Sequence, residues 1–138
     1  MTGARPIRRE DARAFVRETL GCGCADEVLR EIEVSGDLEI GGVPVACRLD
    51  VGHRLLVYVL AVAVAGEVEE GLGPAVRAGR AERDASGYNR LRLVLAVPDP
   101  ALVADRAEVL FRALPDRDER VHLHVVAESE VAHLCKHS

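Results

Sequence analysis

The groups in this chain best suited to chemistry are sulfur and imidazole, gathered toward its two ends. Cys22 and Cys24 flank Gly23 in the stretch Gly21-Cys22-Gly23-Cys24, which reads as a turn between two short helices. A thiol at a helix start faces partly free backbone N–H groups and the positive end of the peptide dipole, which favour thiolate over thiol. Cys24 is then the expected nucleophile and Cys22 its resolving partner. Asp26 and Glu27 lie within one turn and oppose this by repulsion. Two thiolates one residue apart can also share a soft metal ion such as zinc, whose structural sites take four ligands. His133, Cys135 and His137 supply further donors, with His133 and His137 spaced to share a helix face. The sequence therefore offers Cys22 and Cys24 as a catalytic pair, or Cys22, Cys24, His133, Cys135 and His137 as a donor set for zinc. The plainer alternative is structural cysteines in a turn whose glycines supply positive φ. Cys47, which with Val45 and Leu49 alternates against Ala46, Arg48 and Asp50 on a strand, reads as an inert small hydrophobe. His122 and His124 fall on one face of the last strand.

The elements that must position these groups follow from periodicity. Ala12, Phe15, Val16 and Leu20 recur at helical spacing, Gly21 ends that helix, and a second short helix runs from Ala25 to Ile32. Ser35-Gly36-Asp37, Gly41-Gly42 and Asp50-Val51-Gly52 punctuate an antiparallel meander from Glu33 to Val64. Gly41-Gly42 is its clearest hairpin turn, and Leu55 to Val64, apolar on both faces, is its central strand. Leu72, Ala75, Val76 and Gly79 then share a helical stripe, with Pro74 placed as a first helical residue and Gly87 as the stop. A strand through Leu91, Leu93, Leu95 and Val97, a helix from Pro100 and a strand through Val121, Leu123 and Val125 complete the order. The tail from Glu128 continues as helix. The expected fold is α/β, with α+β as its alternative. It has a mixed sheet of about five strands, an N-terminal helix pair, an antiparallel meander and then α-β-α-β, all in a single domain spanning residues 1–138.

Composition narrows the function classes. A formal charge of −5 and an aromatic content of 3% without Trp argue against nucleic acid as a partner, since such binders carry basic patches and stacking rings. Lys136 is the one lysine among 18 basic residues, a bias that a GC-rich genome produces by itself. The longest apolar run, Leu55 to Ala65, is 11 residues, against roughly 20 for a membrane-spanning helix. No secretory leader opens the chain, so a cytoplasmic location is expected. There, four cysteines point to free thiols, a metal site or redox chemistry ahead of a structural disulfide. An open sheet must cover its edges or pair them with a second copy, which makes a homo-oligomeric interaction or assembly domain the competing reading.

The run Phe15-Val16-Arg17-Glu18-Thr19-Leu20-Gly21-Cys22-Gly23-Cys24, followed by Asp26-Glu27-Val28, resembles the signature of a small, functionally uncharacterised prokaryotic protein family. Asn89-Arg90-Leu91-Arg92 matches more loosely. A proline follows the second cysteine in that pattern, where this chain has Ala25. The resemblance implies that the cysteine turn is a family feature and supplies no reaction, cofactor or partner.

Other constellations fail on detail. Gly71-Leu72-Gly73-Pro74-Ala75-Val76 approaches a dinucleotide fingerprint, but Gly66 to Glu70 separate it from the preceding strand and Val76 stands where a small residue is needed. The phosphate-cradling Gly-x-x-x-x-Gly-Lys and the Gly-x-Ser-x-Gly elbow are absent. A helix, three strands, a helix and a strand resemble nuclease cores in outline, yet no strand carries an acidic residue two positions before a lysine. Arg77, Arg80 and Arg83, with Arg90 and Arg92, could form an anion pocket, but the surrounding carboxylates favour a solvated, salt-bridged surface.

Overall fold

The computed structural model describes residues 14–16, 31–40, 42–63, 65–115, 117–132 and 134. Five strands form one mixed sheet in the order of the chain: β1 (Ile32–Ile40), β2 (Val43–Val51), β3 (Leu55–Ala61), β4 (Arg90–Val97) and β5 (Val121–Ala127). The first three are antiparallel, and β3, β4 and β5 run parallel. Helix α1 (Ala65–Ser86) joins β3 to β4, α2 (Pro100–Ala113) joins β4 to β5, and the short α3 (Glu128–Val131) follows β5. The meander and the α-β-α-β order are those read from the sequence, but Ser35-Gly36-Asp37, expected as a turn, runs inside β1, where Ser35 and Gly36 pair with Arg48 and Cys47. The N-terminal helix pair lies outside the described residues, apart from the helical Ala14, Phe15 and Val16. Ile32, expected at the end of a helix, opens β1 instead.

Turn chemistry sets the register. Ile40 pairs with Val43 across a two-residue loop in which Gly42 sits at φ +81°, a conformation most side chains avoid. Between β2 and β3, Gly52 and His53 both adopt φ +58°, and the Arg54 amide donates to the Val51 carbonyl at 3.0 Å. Because register is continuous across the sheet, side chains line up in rows. On one face Arg48, Tyr58, Leu93 and Leu123 form a row beside Asp50, Leu56, Leu91 and Val121. The far face carries Cys47, Val59, Val94 and His124 beside Leu49, Val57, Arg92 and His122.

Helices α1 and α2 bury their apolar stripes on the first face. Val68, Leu72, Ala75, Val76 and Gly79 follow helical spacing, and a Cβ on Gly79 would stand 2.5 Å from Leu91 Cδ2, so glycine permits the close approach of α1. Helix α1 begins nine residues earlier than Pro74, its expected first residue. Proline has no N–H to give to the carbonyl four residues back. That carbonyl belongs to exposed Glu70, so the loss falls on the wet side of the helix. The pull of Val68, 1% exposed, extends the helix back to the end of β3. Gly71 and Gly73 therefore stand inside a helix, not in a phosphate-binding turn. Helix α2 buries Val103, Ala107 and Phe111, and Asp99 caps it by accepting from the Ala101 amide at 3.1 Å.

Arg83 overturns the expectation of a solvated arginine surface. It continues the buried stripe of α1 at 1% exposure, and its Nη1 and Nη2 donate to Asp118 Oδ1 and Oδ2 at 2.9 and 2.6 Å. Asp84 accepts from Arg83 Nε at 3.1 Å, and Arg80 Nε lies 3.6 Å from Asp118. The paired guanidinium holds the Asp118 carboxyl at about 2, against an ordinary 3.8, and the Arg120 amide assists.

Candidate functional site

The far face of the sheet holds the chemistry-bearing residues. Cys47 sits in the middle of β2 at 0% exposure among Leu49, Val51, Val57 and Val59. It is disulfide-bonded, with its partner outside the described residues. This corrects its reading as an inert hydrophobe. Alternation on β2 gave the burial but held no information about a sulfur distant in sequence. The chain's other cysteines are Cys22, Cys24 and Cys135.

Residues from both ends of the chain share the core that encloses Cys47. Phe15 and Val16 lie a few residues before the cysteine turn, Val131 and Leu134 lie beside His133 and Cys135, and all four are at most 5% exposed in that cluster. The proposed site residues Cys22, Cys24, His133, Cys135 and His137 themselves lie outside the described residues. Among the described residues, no group of three or more His, Cys, Asp or Glu side chains is placed to hold a metal ion.

Farther along the same face, β4 and β5 present a basic row. Arg92 Nη1 lies 2.8 Å from His124 Nε2, and Arg90 Nη1 lies 3.2 Å from His122 Nε2. A guanidinium only donates, so each Nε2 must accept and each imidazole must be neutral with its proton on Nδ1. Burial and the Arg92 charge push His124 down to about 4, and burial with Arg92 and Arg90 lowers His122. The two imidazoles share a face, as their spacing predicts, with an arginine nitrogen against Nε2 of each.

A second polar constellation lies under α1, and the sequence pattern did not single it out. Arg48 Nη2 and Nε donate to Glu82 Oε2 at 2.6 and 3.1 Å, and the Tyr58 hydroxyl donates to Glu82 Oε1 at 2.5 Å. Arg48 Nη2 also donates to the Tyr88 hydroxyl at 3.0 Å, which in turn donates to Asp50 Oδ2 at 2.7 Å. Asp50 Oδ1 accepts from the His53 amide at 2.8 Å, which steadies the positive φ of His53, and His53 Nε2 lies 3.1 Å from the Ser86 carbonyl. Burial raises Tyr58 and Tyr88. Burial also works to raise Glu82, but the hydrogen bonds from Arg48 and Tyr58 prevail and hold it below the usual carboxylate range. This chain of hydrogen bonds clamps the end of α1 to the meander. Its sequence signal is Tyr58, the one polar tip in an apolar run, on the same sheet face as Arg48.

A cleft of about 290 Å³ opens at the carboxyl end of β3, lined by Pro44, Leu60, Val62, Glu67, Glu70 and Pro74 among others. No thiol or imidazole lines it. Glu67 Oε1 accepts from the Ala63 amide there at 2.7 Å. Among the described residues, no helix is long and apolar enough to cross a membrane. Comparison with family models, with curated proteins and with solved structures finds no match to this chain.

Proposed function

We propose that this chain is a thiol–disulfide module in which a disulfide through Cys47 fastens distant chain to the far face of the sheet and opens by exchange. The observation that carries this reading is a disulfide-bonded Cys47 buried in the core that Phe15, Val16, Val131 and Leu134 close. A sulfur enclosed by Leu49, Val57 and Val59 is out of reach of an incoming thiolate, so attack falls on the partner sulfur. The attacking thiolate forms a mixed disulfide there and Cys47 leaves, taking up a proton because burial disfavours its charged form. A second thiolate of the attacking dithiol resolves the mixed disulfide. The dithiol is thereby oxidised by two electrons, and Cys47 and its former partner become two thiols.

Where Cys47 is bonded to Cys135, Cys22 and Cys24 supply the entering and resolving sulfurs with Cys24 as nucleophile; where it is bonded to Cys22 or Cys24, that sulfur is the one attacked and the dithiol belongs to a second protein. Zinc belongs to the reduced form of the same module, held by Cys22, Cys24 and two of His133, Cys135 and His137. A disulfide sulfur is not a thiolate ligand. With Cys47 and its partner oxidised, at most two of the four cysteines remain as thiols for a metal.

The test is a redox titration of the full chain in glutathione buffers, read by alkylation and peptide mass spectrometry. A Cys47 disulfide with a midpoint between about −270 and −180 mV supports exchange. A midpoint below about −300 mV, or loss of folding on reduction, makes the bond a structural staple and overturns the proposal.

A further inference from the structure

Independently of the cysteine chemistry, the sheet opens beside the cleft at the carboxyl end of β3. The β1–β2 ladder runs out to Ile40 and Val43, and the β3–β4 ladder runs to Ala61 and Ala96, but the β2–β3 ladder between them stops at Cys47 and Val59. Two hydrogen bonds fix the direction of the backbone beyond that stop. The Gly52 amide donates to the Glu31 carbonyl at 2.8 Å, so the even-numbered residues of β2 turn toward β1. The Val62 amide donates to the Ala96 carbonyl at 3.0 Å, so the even-numbered residues of β3 turn toward β4. Val43 and Val45 on β2 and Ala61 on β3 therefore aim their N–H and C=O groups into the gap, where no strand among the described residues meets them. Val45 is 2% exposed, and buried backbone groups are almost always paired.

Two hollows flank the gap and share Pro44 and Ala61. One is the cleft of about 290 Å³ that holds Glu67 and Glu70, and the other, of about 440 Å³, holds Glu39 beside Leu38 and Ala46. Carboxylates are the only charged groups lining either hollow. Glu39 and Glu70 are exposed and form no ion pair among the described residues. We propose that the gap takes an extended segment of a partner protein as an added strand, and that this segment carries arginine or lysine side chains. Its backbone pairs with Val43, Val45 and Ala61, which supplies affinity without regard to sequence. Its side chains alternate between the hollows, where long aliphatic stems cover Leu60 and Pro74 in one and Leu38 in the other. The charged heads then meet Glu70 and Glu39, and the same carboxylates repel an acidic segment.

Titration of the full nitrogen-15-labelled chain at low salt with acetyl-Val-Arg-Val-Arg-Val-Arg-amide reads this directly, and acetyl-Val-Glu-Val-Glu-Val-Glu-amide is the charge control. The Val43 and Val45 amide hydrogens exchange rapidly in the chain alone, and saturating arginine peptide slows both at least tenfold. The glutamate peptide binds at least tenfold more weakly. Glu70→Gln weakens binding of the arginine peptide about threefold. Ala61→Pro removes an N–H that no ladder uses and weakens binding about fivefold, while thermal melting confirms the fold. An arginine peptide that does not bind at about 5 mM overturns the proposal. So do two peptides that bind alike, or binding indifferent to both Glu70→Gln and Ala61→Pro. Val43 and Val45 amides already protected in the chain alone overturn it too, because the gap is then filled by the chain itself or by a second copy.

Discussion

Removing Asp118 should cost more than removing its partner Arg83, although both changes break the same ion pair. Arg83 is 1% exposed and Asp118 is 32% exposed. With Asp118→Ala, a buried guanidinium keeps only Asp84, itself 53% exposed. Stranding a buried charge costs about 3–5 kcal/mol, and Asp84 moves the expectation toward the lower figure. With Arg83→Met, a similar apolar volume fills the site, and the remaining carboxylate meets water, the Arg120 amide at 2.9 Å and Arg80. That loss should be about 1 kcal/mol. Urea unfolding at pH 7 separates the two variants. The pH dependence adds a second reading, because the folded carboxyl sits at about 2 and its unfolded counterpart near 3.8. A depressed folded value gives stability that is complete above pH 4 and is lost as pH falls toward 2. The shift corresponds to roughly 2 kcal/mol before discounting, and to about 1 kcal/mol once solvent screening of a third-exposed group is allowed for. Arg83→Met should abolish that part of the acid sensitivity. The reasoning fails if Arg83→Met is as damaging as Asp118→Ala, or if its acid unfolding profile matches that of the wild type.

Five other perturbations probe separate features. Gly79→Ala should lose about 1 kcal/mol in urea unfolding, because a methyl 2.5 Å from Leu91 Cδ2 overpacks the core by more than the ~1 kcal/mol gained in helix propensity. Gly71→Ala, mid-helix with open space around it, should instead gain about 0.5–1 kcal/mol, while Gly42→Ala at φ +81° should lose about 1 kcal/mol. Tyr58→Phe removes one donor from Glu82 and should destabilise by about 1 kcal/mol, with the Glu82 carboxyl titrating higher by carbon-detected NMR. His124 should titrate near 4 by NMR, and because its unfolded value is near 6.5, its contribution to stability should fall as pH drops through that window. A normal imidazole titration would remove the burial and Arg92 account.

Elements whose hydrophobic period matches their burial are legible in the amino-acid order itself. The strands of the meander alternate or are apolar on both faces, and the glycine turns between them hold the positive φ values that fix register. Pro74 is a misleading marker for the start of α1, because a local preference for the first helical turn is outweighed by burial of Val68 and Leu72. The burial of Arg83 is hidden because the residue that stabilises it, Asp118, is 35 positions away. Cys47 shows the same limit. A strand pattern reports which face a side chain takes, and the chemistry of the sulfur depends on a partner brought in by tertiary folding.

The closure of the far face by Phe15, Val16, Val131 and Leu134 also bears on biosynthesis. A chain made from its N-terminus can assemble the meander, α1 and β4 long before Leu134 emerges, since these contacts are nonlocal. Before Leu134 joins that core, Cys47 lacks part of its enclosure. The sulfur is therefore more open to reaction during synthesis than after folding, when exchange passes through its partner.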